Sequence, residues 1–517
     1  MSSRGLLVVS VVVGVAALLV FGPLLRSPWL WDDKSLILDS PVLKDRAQWS
    51  AALASDFWAL SANPREAGMY RPVVVASYFA DRAVFGTSPV GPHAVNLLLH
   101  LLCAALVGLL ASRLAASVEV SLLSAALFVF HPATIEAVAN VSSRGDLLAT
   151  LFVLLALLAA RSTAAWSLPA VFGCVTLAQL SKESAFVAAP LLLLVDWTAN
   201  GFERRATRWR PLMAAMGATL LTLLLRFLAL GAAFPAGELH DEWHPVLTAA
   251  STVVRYAKLV LLPSPLVPYA SKTVASWLAV PLLGVAVLLS RPVTWLRFAV
   301  MWFLVATAPV AMWGPVTVRF SGLLLYLPLI GVALALARAR QCSAMVWLIP
   351  VAWAVTSATV VPTWRDDVSL WSSNVEAEPE LAAPRLNLAN ALAATKQPEA
   401  AEAYQSAVEV AAKVGDPKSL AMAELGLGNL HLLRAPEVAA KHFAAARAAS
   451  GGRLWQAGVN LAVAQFLAKN PVEAALTLEA QWNVTPLRPV AEAGFKLGRE
   501  VNDEAMMKRW NERLTGR

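Results

Sequence analysis

Long apolar runs, each interrupted by a cluster of charged or aromatic residues, dominate the first 361 positions of the chain. They fall at residues 5–25, 95–114, 120–130, 147–160, 164–180, 185–197, 212–233, 274–289, 298–313, 323–337 and 345–361. With its flanks, each approaches the roughly 20 residues a helix needs to cross hydrocarbon, so eleven membrane helices are expected. Residues 246–262 differ: they carry Arg255 and Lys258 and run into Pro263-Ser264-Pro265. Arginines collect on the cytosolic side of membrane proteins, and the richest loop is Arg204-Arg205-Ala206-Thr207-Arg208-Trp209-Arg210. The loops holding Arg291 with Arg297, and Arg338 with Arg340, belong on that same side. The parity works when residues 246–262 lie at the outer interface or re-enter without crossing. The N-terminus is then inside, and a long first loop (26–92) shares the outer face with the C-terminus.

From residue 362 the pattern becomes an Ala, Glu, Leu and Asn mixture with helical periodicity. Small-residue groups recur at Asn387-Leu388-Ala389-Asn390, Leu427-Gly428-Asn429, Asn460-Leu461-Ala462 and Leu497-Gly498. Their spacing is near the 34 residues of a tetratricopeptide helix pair. A second small position follows in Glu402-Ala403-Tyr404 and in Lys441-His442-Phe443-Ala444-Ala445. Helix pairs of this kind bury their apolar faces only against neighbours, which predicts a solenoid of three or four repeats; the bland alternative is an alanine-rich helical bundle. The expected class is therefore all-α, with a membrane bundle over residues 1–361 and a repeat array over 362–517.

Composition agrees with this division. The 517 residues are 58% hydrophobic and only 15% charged, unlike an ordinary soluble protein. Arg4 precedes the first run and no small-x-small cleavage site lies before Pro23, so that run reads as an uncleaved anchor. A net charge of +8 would suggest nucleic acid in a soluble chain; here the cytosolic arginines explain it. Cys103, Cys174 and Cys342 lie far apart in apolar surroundings and read as small core residues.

Several polar groups are candidates for chemistry. Asp32 and Asp33 follow the first apolar run, where two adjacent carboxylates are costly without a role. One could accept a proton from an attacking hydroxyl; the alternatives are a solvated loop or a cap for a helix starting near Lys34. Tyr70 and Arg71 end the first loop. His93, Asn96 and His100 fall at i, i+3 and i+7 on one helix face, and either line a polar cavity or tie helices together. His131, Glu136, Arg144 and Asp146 belong to the second outer loop, Lys182 and Glu183 to the third. Arg226, Arg255, Lys258 and Arg319 are cations placed to bind an anionic lipid phosphate, unless they pair with Glu136, Asp146 or Glu183. No Walker loop, Gly-x-Ser-x-Gly or His-Glu-x-x-His is present. No ligand set calls for a metal; the cofactor is left unknown, with a divalent ion compatible.

Taken in order, Trp31-Asp32-Asp33, Tyr70-Arg71-Pro72, Phe85-Gly86, the run from His93 to His100, Phe130-His131-Pro132 and Glu136-Ala137-Val138 resemble a known pattern. It continues through Arg144-Gly145-Asp146-Leu147-Leu148-Ala149, Leu180-Ser181-Lys182-Glu183, Leu225-Arg226-Phe227, Leu325-Tyr326-Leu327-Pro328 and Trp364-Arg365-Asp366. The chain resembles the transmembrane and tetratricopeptide-repeat O-mannosyltransferases, multi-span glycosyltransferases of GT-C type. The resemblance implies a sugar, mannose, carried on a polyprenyl phosphate and transferred to Ser or Thr hydroxyls of proteins. It maps the acidic base onto Asp32 or Asp33. Two departures stand out: Arg319 lies seven residues before Tyr326, where the family has an acidic-Arg pair directly before this motif, and Gly145 stands where Ala is commoner.

The leading expectation is thus inverting transfer on the non-cytosolic face of a membrane, a bacterial inner membrane or the endoplasmic reticulum, with the repeats holding an acceptor protein. A glycolipid or polysaccharide acceptor, or a non-catalytic scaffold, are the competing readings. Nucleic acid is not an expected partner.

Overall fold

A computed structural model describes residues 3–115, 117–199, 209–232, 245–263, 267–269, 294–313, 322–339 and 344–515. The expected run at 274–289 lies outside them, as do Arg319 and Cys342. The described chain is helical, and its contacts divide it into two units, Met1–Asp366 and Asp367–Arg517.

The longer helices of the first unit are α1 (Ser3–Phe21), α2 (Pro72–Phe85), α3 (Val90–Ala115), α4 (Val118–Val129), α5 (Arg144–Ala160) and α6 (Ser167–Gln179). They continue with α7 (Ala188–Ala199), α8 (Trp209–Leu230), α9 (Pro245–Leu261), α10 (Thr294–Trp313), α11 (Pro328–Ala339) and α12 (Leu348–Val360). Four helical stretches are long and apolar enough to cross a membrane: Val90–Ala115, Val141–Ala160, Trp209–Leu230 and Ala344–Trp364. A fifth candidate, Val118–Val129 with Pro132–Ala139, bends by 58° at its break. Shorter apolar helices occupy other expected positions, at Ser10–Arg26, Ser167–Gln179, Thr294–Pro309 and Pro328–Arg338. The ambiguous 246–262 stretch falls on one continuous helix, α9, which ends at Leu261. The apolar surface on α8 is sided: Met213, Met216, Leu220, Leu224 and Phe227 are exposed, whereas Ala215, Ala218, Thr222 and Arg226 are buried. An outward apolar stripe of this size on a helix long enough to span fits hydrocarbon. This is a membrane protein.

The first loop folds around a core of its own. Trp29, Leu36, Leu43, Phe57, Trp58, Val75 and Tyr78 pack with Val141 and Leu148 of the second loop and α5. Trp49 stacks on Phe79 with ring centroids 4.5 Å apart. Asp56 folds the turn between them by accepting the N–H groups of Trp58, Ala67 and Met69. Pro72 then starts α2, and Gly86, at φ +63°, ends it, a positive φ that glycine adopts without a Cβ penalty.

The second unit is a run of helices: α13 (Asp367–Ala377), α14 (Ala382–Ala394), α15 (Ala400–Val414), α16 (Pro417–His431), α17 (Pro436–Ala449), α18 (Trp455–Leu467), α19 (Pro471–Trp482), α20 (Arg488–Glu500) and α21 (Glu504–Thr515). The connection Gly415-Asp416-Pro417 shows how the boundaries arise. Gly415 takes φ +68° to end α15, Asp416 accepts the Ser419 N–H, and Pro417 starts α16, each at its favoured position. Core clusters share helices in succession. Ala389, Tyr404 and Leu427 pack α14 to α16; Leu425, Phe443 and Leu461 pack α16 to α18; Ala462, Leu478 and Trp510 pack α18 to α21. Small residues make this closeness sterically feasible. A Cβ on Gly428 would stand 2.4 Å from the Phe443 ring, and one on Gly494 2.3 Å from Trp510. Gly428→Leu is therefore expected to destabilise this unit by about 1–3 kcal/mol through overpacking. A lower denaturation midpoint checks it; an unchanged midpoint would mean the Phe443 ring moves aside at no cost.

Candidate functional site

The two acidic residues after the first helix occupy different environments. Asp33 is fully buried, and its carboxylate accepts the backbone N–H groups of Ser142 at 2.6 Å and Val141 at 3.1 Å. It makes no side-chain cap for its own helix at Lys34–Leu38; it caps the helical stretch that begins 108 residues later. Burial pushes its pKa up to about 7, against the two N–H donors. Between the unfolded value of 3.8 and about 7 the folded chain holds this proton more tightly. Its contribution to stability is complete below 3.8 and is lost as pH rises through 7. Asp33→Asn is expected to flatten the pH dependence of stability across that window, as measured by thermal unfolding in buffers from pH 4 to 8. A variant with the wild-type slope would exclude Asp33 as its source.

Asp32, by contrast, is half-exposed. Of the two carboxyls, it is the one that reaches the surface of the described residues. Trp31 precedes it at φ +45°, a conformation costing about 1–3 kcal/mol in a bulky residue. The flanking chain holds it there: Trp29 and Leu30 are buried, the Trp29 indole donates to the Thr87 carbonyl at 2.9 Å, and the Asp33 N–H donates to the Leu30 carbonyl at 2.8 Å.

The polar stripe on α3 ties helices together. Asn96 donates to the carbonyls of Asn140 and Ala137 at 3.3 and 3.4 Å. His100 Nε2 faces the Val129 carbonyl at 3.1 Å and must carry the proton, which leaves Nδ1 to accept from the Tyr326 hydroxyl at 2.7 Å. His93 Nε2 meets the Pro28 carbonyl at 3.4 Å. His131 does similar work: Nδ1 accepts the Ala133 N–H and Nε2 donates to the Val260 carbonyl, joining the second loop to α9. Arg144 sits fully buried and fully used. Its guanidinium meets Asp81 at 2.5 Å and Asn96 Oδ1 at 2.8 Å, and donates to Ser77 and the Pro92 carbonyl. Asn96, His100, His131 and Arg144 thus direct their polar groups to neighbouring elements, whereas His93 keeps a buried Nδ1 with no hydrogen-bond partner among the described residues.

A second group of charges gathers beside them. Lys182 Nζ pairs with Asp146 at 2.5 Å. Glu183 receives Arg71 at 2.6 Å and Arg226 at 3.6 Å on its two oxygens, and Arg226 also donates to the Gly68 carbonyl. Burial raises the Glu183 pKa, but Arg71 and Arg226 outweigh it and hold the carboxyl below its ordinary value. Three cations here face two carboxylates, a surplus of one positive charge among the described residues. Gly145 explains itself in the same place. A Cβ there would lie 3.0 Å from the Ser181 carbonyl, so the missing methyl lets the third loop close onto α5.

Other expected members sit apart from this cluster or differ from it. Tyr70 is half-buried next to Arg71. Glu136 is buried and takes the Leu323 N–H at 3.4 Å, lining a small cleft with Pro132, Gly322, Val360 and Trp364. Arg255 is half-buried on α9, whereas Lys258 is exposed and is not the interior cation expected. Among the described residues, no three His, Cys, Asp or Glu side chains could hold a metal ion. Asp81 and Tyr326 were not among the sequence candidates. Ser77 and Asp81, four residues apart behind a helix-starting Pro72, were the legible signal for the first.

Known proteins add an independent line. The chain is 32% identical over 214 residues to protein O-mannosyl-transferase TMTC4 of Homo sapiens, covering 36% of this chain and 28% of that protein. It is 36% identical over 133 residues to Tmtc2 of Drosophila melanogaster, 25% of this chain and 14% of that one. A Caenorhabditis elegans protein O-mannosyl-transferase, F38B6.6, is 27% identical over 180 residues, 34% and 26% of the two chains. Over these segments the chain is similar to proteins named protein O-mannosyl-transferases. The matches span only 14 to 28% of those three relatives' lengths. No family model and no solved structure matches the chain. Those three relatives are named protein O-mannosyl-transferases.

Proposed function

We propose that the protein transfers a sugar, mannose by similarity to its relatives, from a polyprenyl phosphate to Ser or Thr hydroxyls of proteins on the non-cytosolic face of the membrane. One observation carries this reading: the start of a single helical stretch organises both halves of the chemistry. Val141 and Ser142 hold Asp33, and so set the position of Asp32. Asp146, on the same stretch, holds Lys182 in the surplus-positive cluster. The two attachments lie four residues apart on that stretch, about one helical turn.

Asp32 takes the proton of the acceptor hydroxyl as its oxygen attacks the anomeric carbon. The bond from that carbon to the phosphate oxygen breaks, and its electron pair leaves on the lipid phosphate. The Arg71, Lys182 and Arg226 cluster offsets the developing charge with its unmatched positive charge. Attack opposite the leaving group inverts the anomeric centre. The donor's prenyl chain requires a hydrocarbon-facing body, which the exposed apolar stripe of α8 supplies. The stacked helices of the second unit are read as a tetratricopeptide solenoid that grips the acceptor and raises its local concentration.

The test is direct. Purified protein, given polyprenyl-phosphate mannose labelled in the sugar and a Ser/Thr-rich polypeptide, is expected to move label to the polypeptide. Label appearing only in lipid or polysaccharide would change the acceptor, and no transfer with any lipid-linked sugar would leave a membrane scaffold.

A further inference from the structure

We propose that Trp31, backed by Tyr269, is the platform on which the donor's sugar ring stacks; this rests on the transfer reading above. Four non-glycine residues adopt positive φ among the described residues: Trp31, Lys396, Lys469 and Asn502. The last three directly follow helices α14, α18 and α20, where polar side chains take the left-handed turn that ends a helix. Trp31 is different. It is a bulky aromatic, it precedes a helix, and glycine would serve the backbone better. An indole kept at such a point is retained for its side chain.

The surroundings agree. Trp29, Leu30 and Asp33 are buried, and only Trp31 and Asp32 between them are half-exposed. The anchored neighbours thus present the indole and the carboxylate as adjacent groups. The Tyr269 ring lies 6.0 Å from the indole at 50°, so the chain after α9 braces the platform from a position 238 residues away. A pyranose has a rim of hydroxyls and an apolar face of C–H bonds. An aromatic face beside a proton-accepting carboxylate fits both parts: the ring buries its C–H face while the anomeric carbon stays near Asp32. A Ser or Thr acceptor, with its small side chain, has no such face to offer.

The experiment compares binding of polyprenyl-phosphate mannose with bare polyprenyl phosphate by full-length protein in detergent. Wild type is expected to prefer the mannosylated lipid. Trp31→Leu is expected to weaken binding of that lipid about three- to tenfold, the worth of one aromatic contact, and to leave the bare lipid unchanged. Trp31→Phe is expected to keep most of the preference. Trp31→Gly suits the backbone better than tryptophan, so it folds at least as well, and it is expected to lose the preference as Leu does. Unchanged mannosyl-lipid affinity in the Leu and Gly variants would overturn the platform while leaving the transfer reading intact, as would equal weakening for both lipids. If wild type binds neither lipid, the transfer reading fails and the platform with it.

Discussion

Asp32→Asn is expected to lower sugar transfer by about 10²–10⁴-fold, the usual worth of a positioned general base, with little change in stability. The side chain is half-exposed, so the substitution removes a proton acceptor without opening a buried hole. Asp33→Asn is expected to act differently. Its carboxylate receives two backbone N–H groups from the second loop, and an amide accepts at one oxygen only. That variant is expected to lose stability and to reduce transfer in proportion to the displacement of Asp32. Initial rates at saturating donor, measured beside thermal unfolding, separate the two cases. Full transfer by Asp32→Asn would remove it as the base.

The largest structural effect is expected at Arg144. Its guanidinium is completely buried and joins Ser77 and Asp81 of α2 to Pro92 and Asn96 of α3 from the first residue of α5. Arg144→Ala strands the Asp81 carboxylate among apolar neighbours and leaves Asn96 with an unfilled acceptor. Removing one partner of a buried ion pair costs about 3–5 kcal/mol, enough to unfold a marginal protein. Arg144→Lys keeps the charge but replaces a planar fork of five donors by a single ammonium, and an intermediate loss is expected. Denaturant or thermal midpoints in detergent check the series. An Arg144→Ala protein as stable as wild type would mean that Asp81 is hydrated rather than buried.

Much of the architecture was legible because it follows local rules. The apolar runs, the change of pattern near residue 362 and the caps at Gly415 and Pro417 each depend on a few neighbouring residues. Gly428, within the recurring group Leu427-Gly428-Asn429, announced close helix packing in the same way. The site was harder, because its meaning lies in distant partners. Nothing near Asp32 and Asp33 says which is anchored; the deciding N–H groups belong to residues 141 and 142. Arg144 and Arg226 look alike in sequence, yet one is spent among α2 and α3 and the other shares Glu183 with Arg71. His93, Asn96 and His100, spaced for one helix face, are all buried on α3. Their partners are backbone carbonyls of Pro28, Val129, Ala137 and Asn140, which no residue type encodes.

Sealed membrane vesicles of both orientations test the central claim most directly, since it requires donor chemistry and acceptor capture in one non-cytosolic compartment. The vesicles are given a membrane-impermeant Ser/Thr-rich polypeptide after loading with polyprenyl-phosphate mannose. Right-side-out vesicles are predicted to label the polypeptide, and inside-out vesicles only after detergent opens them. Labelling by intact inside-out vesicles would contradict the account.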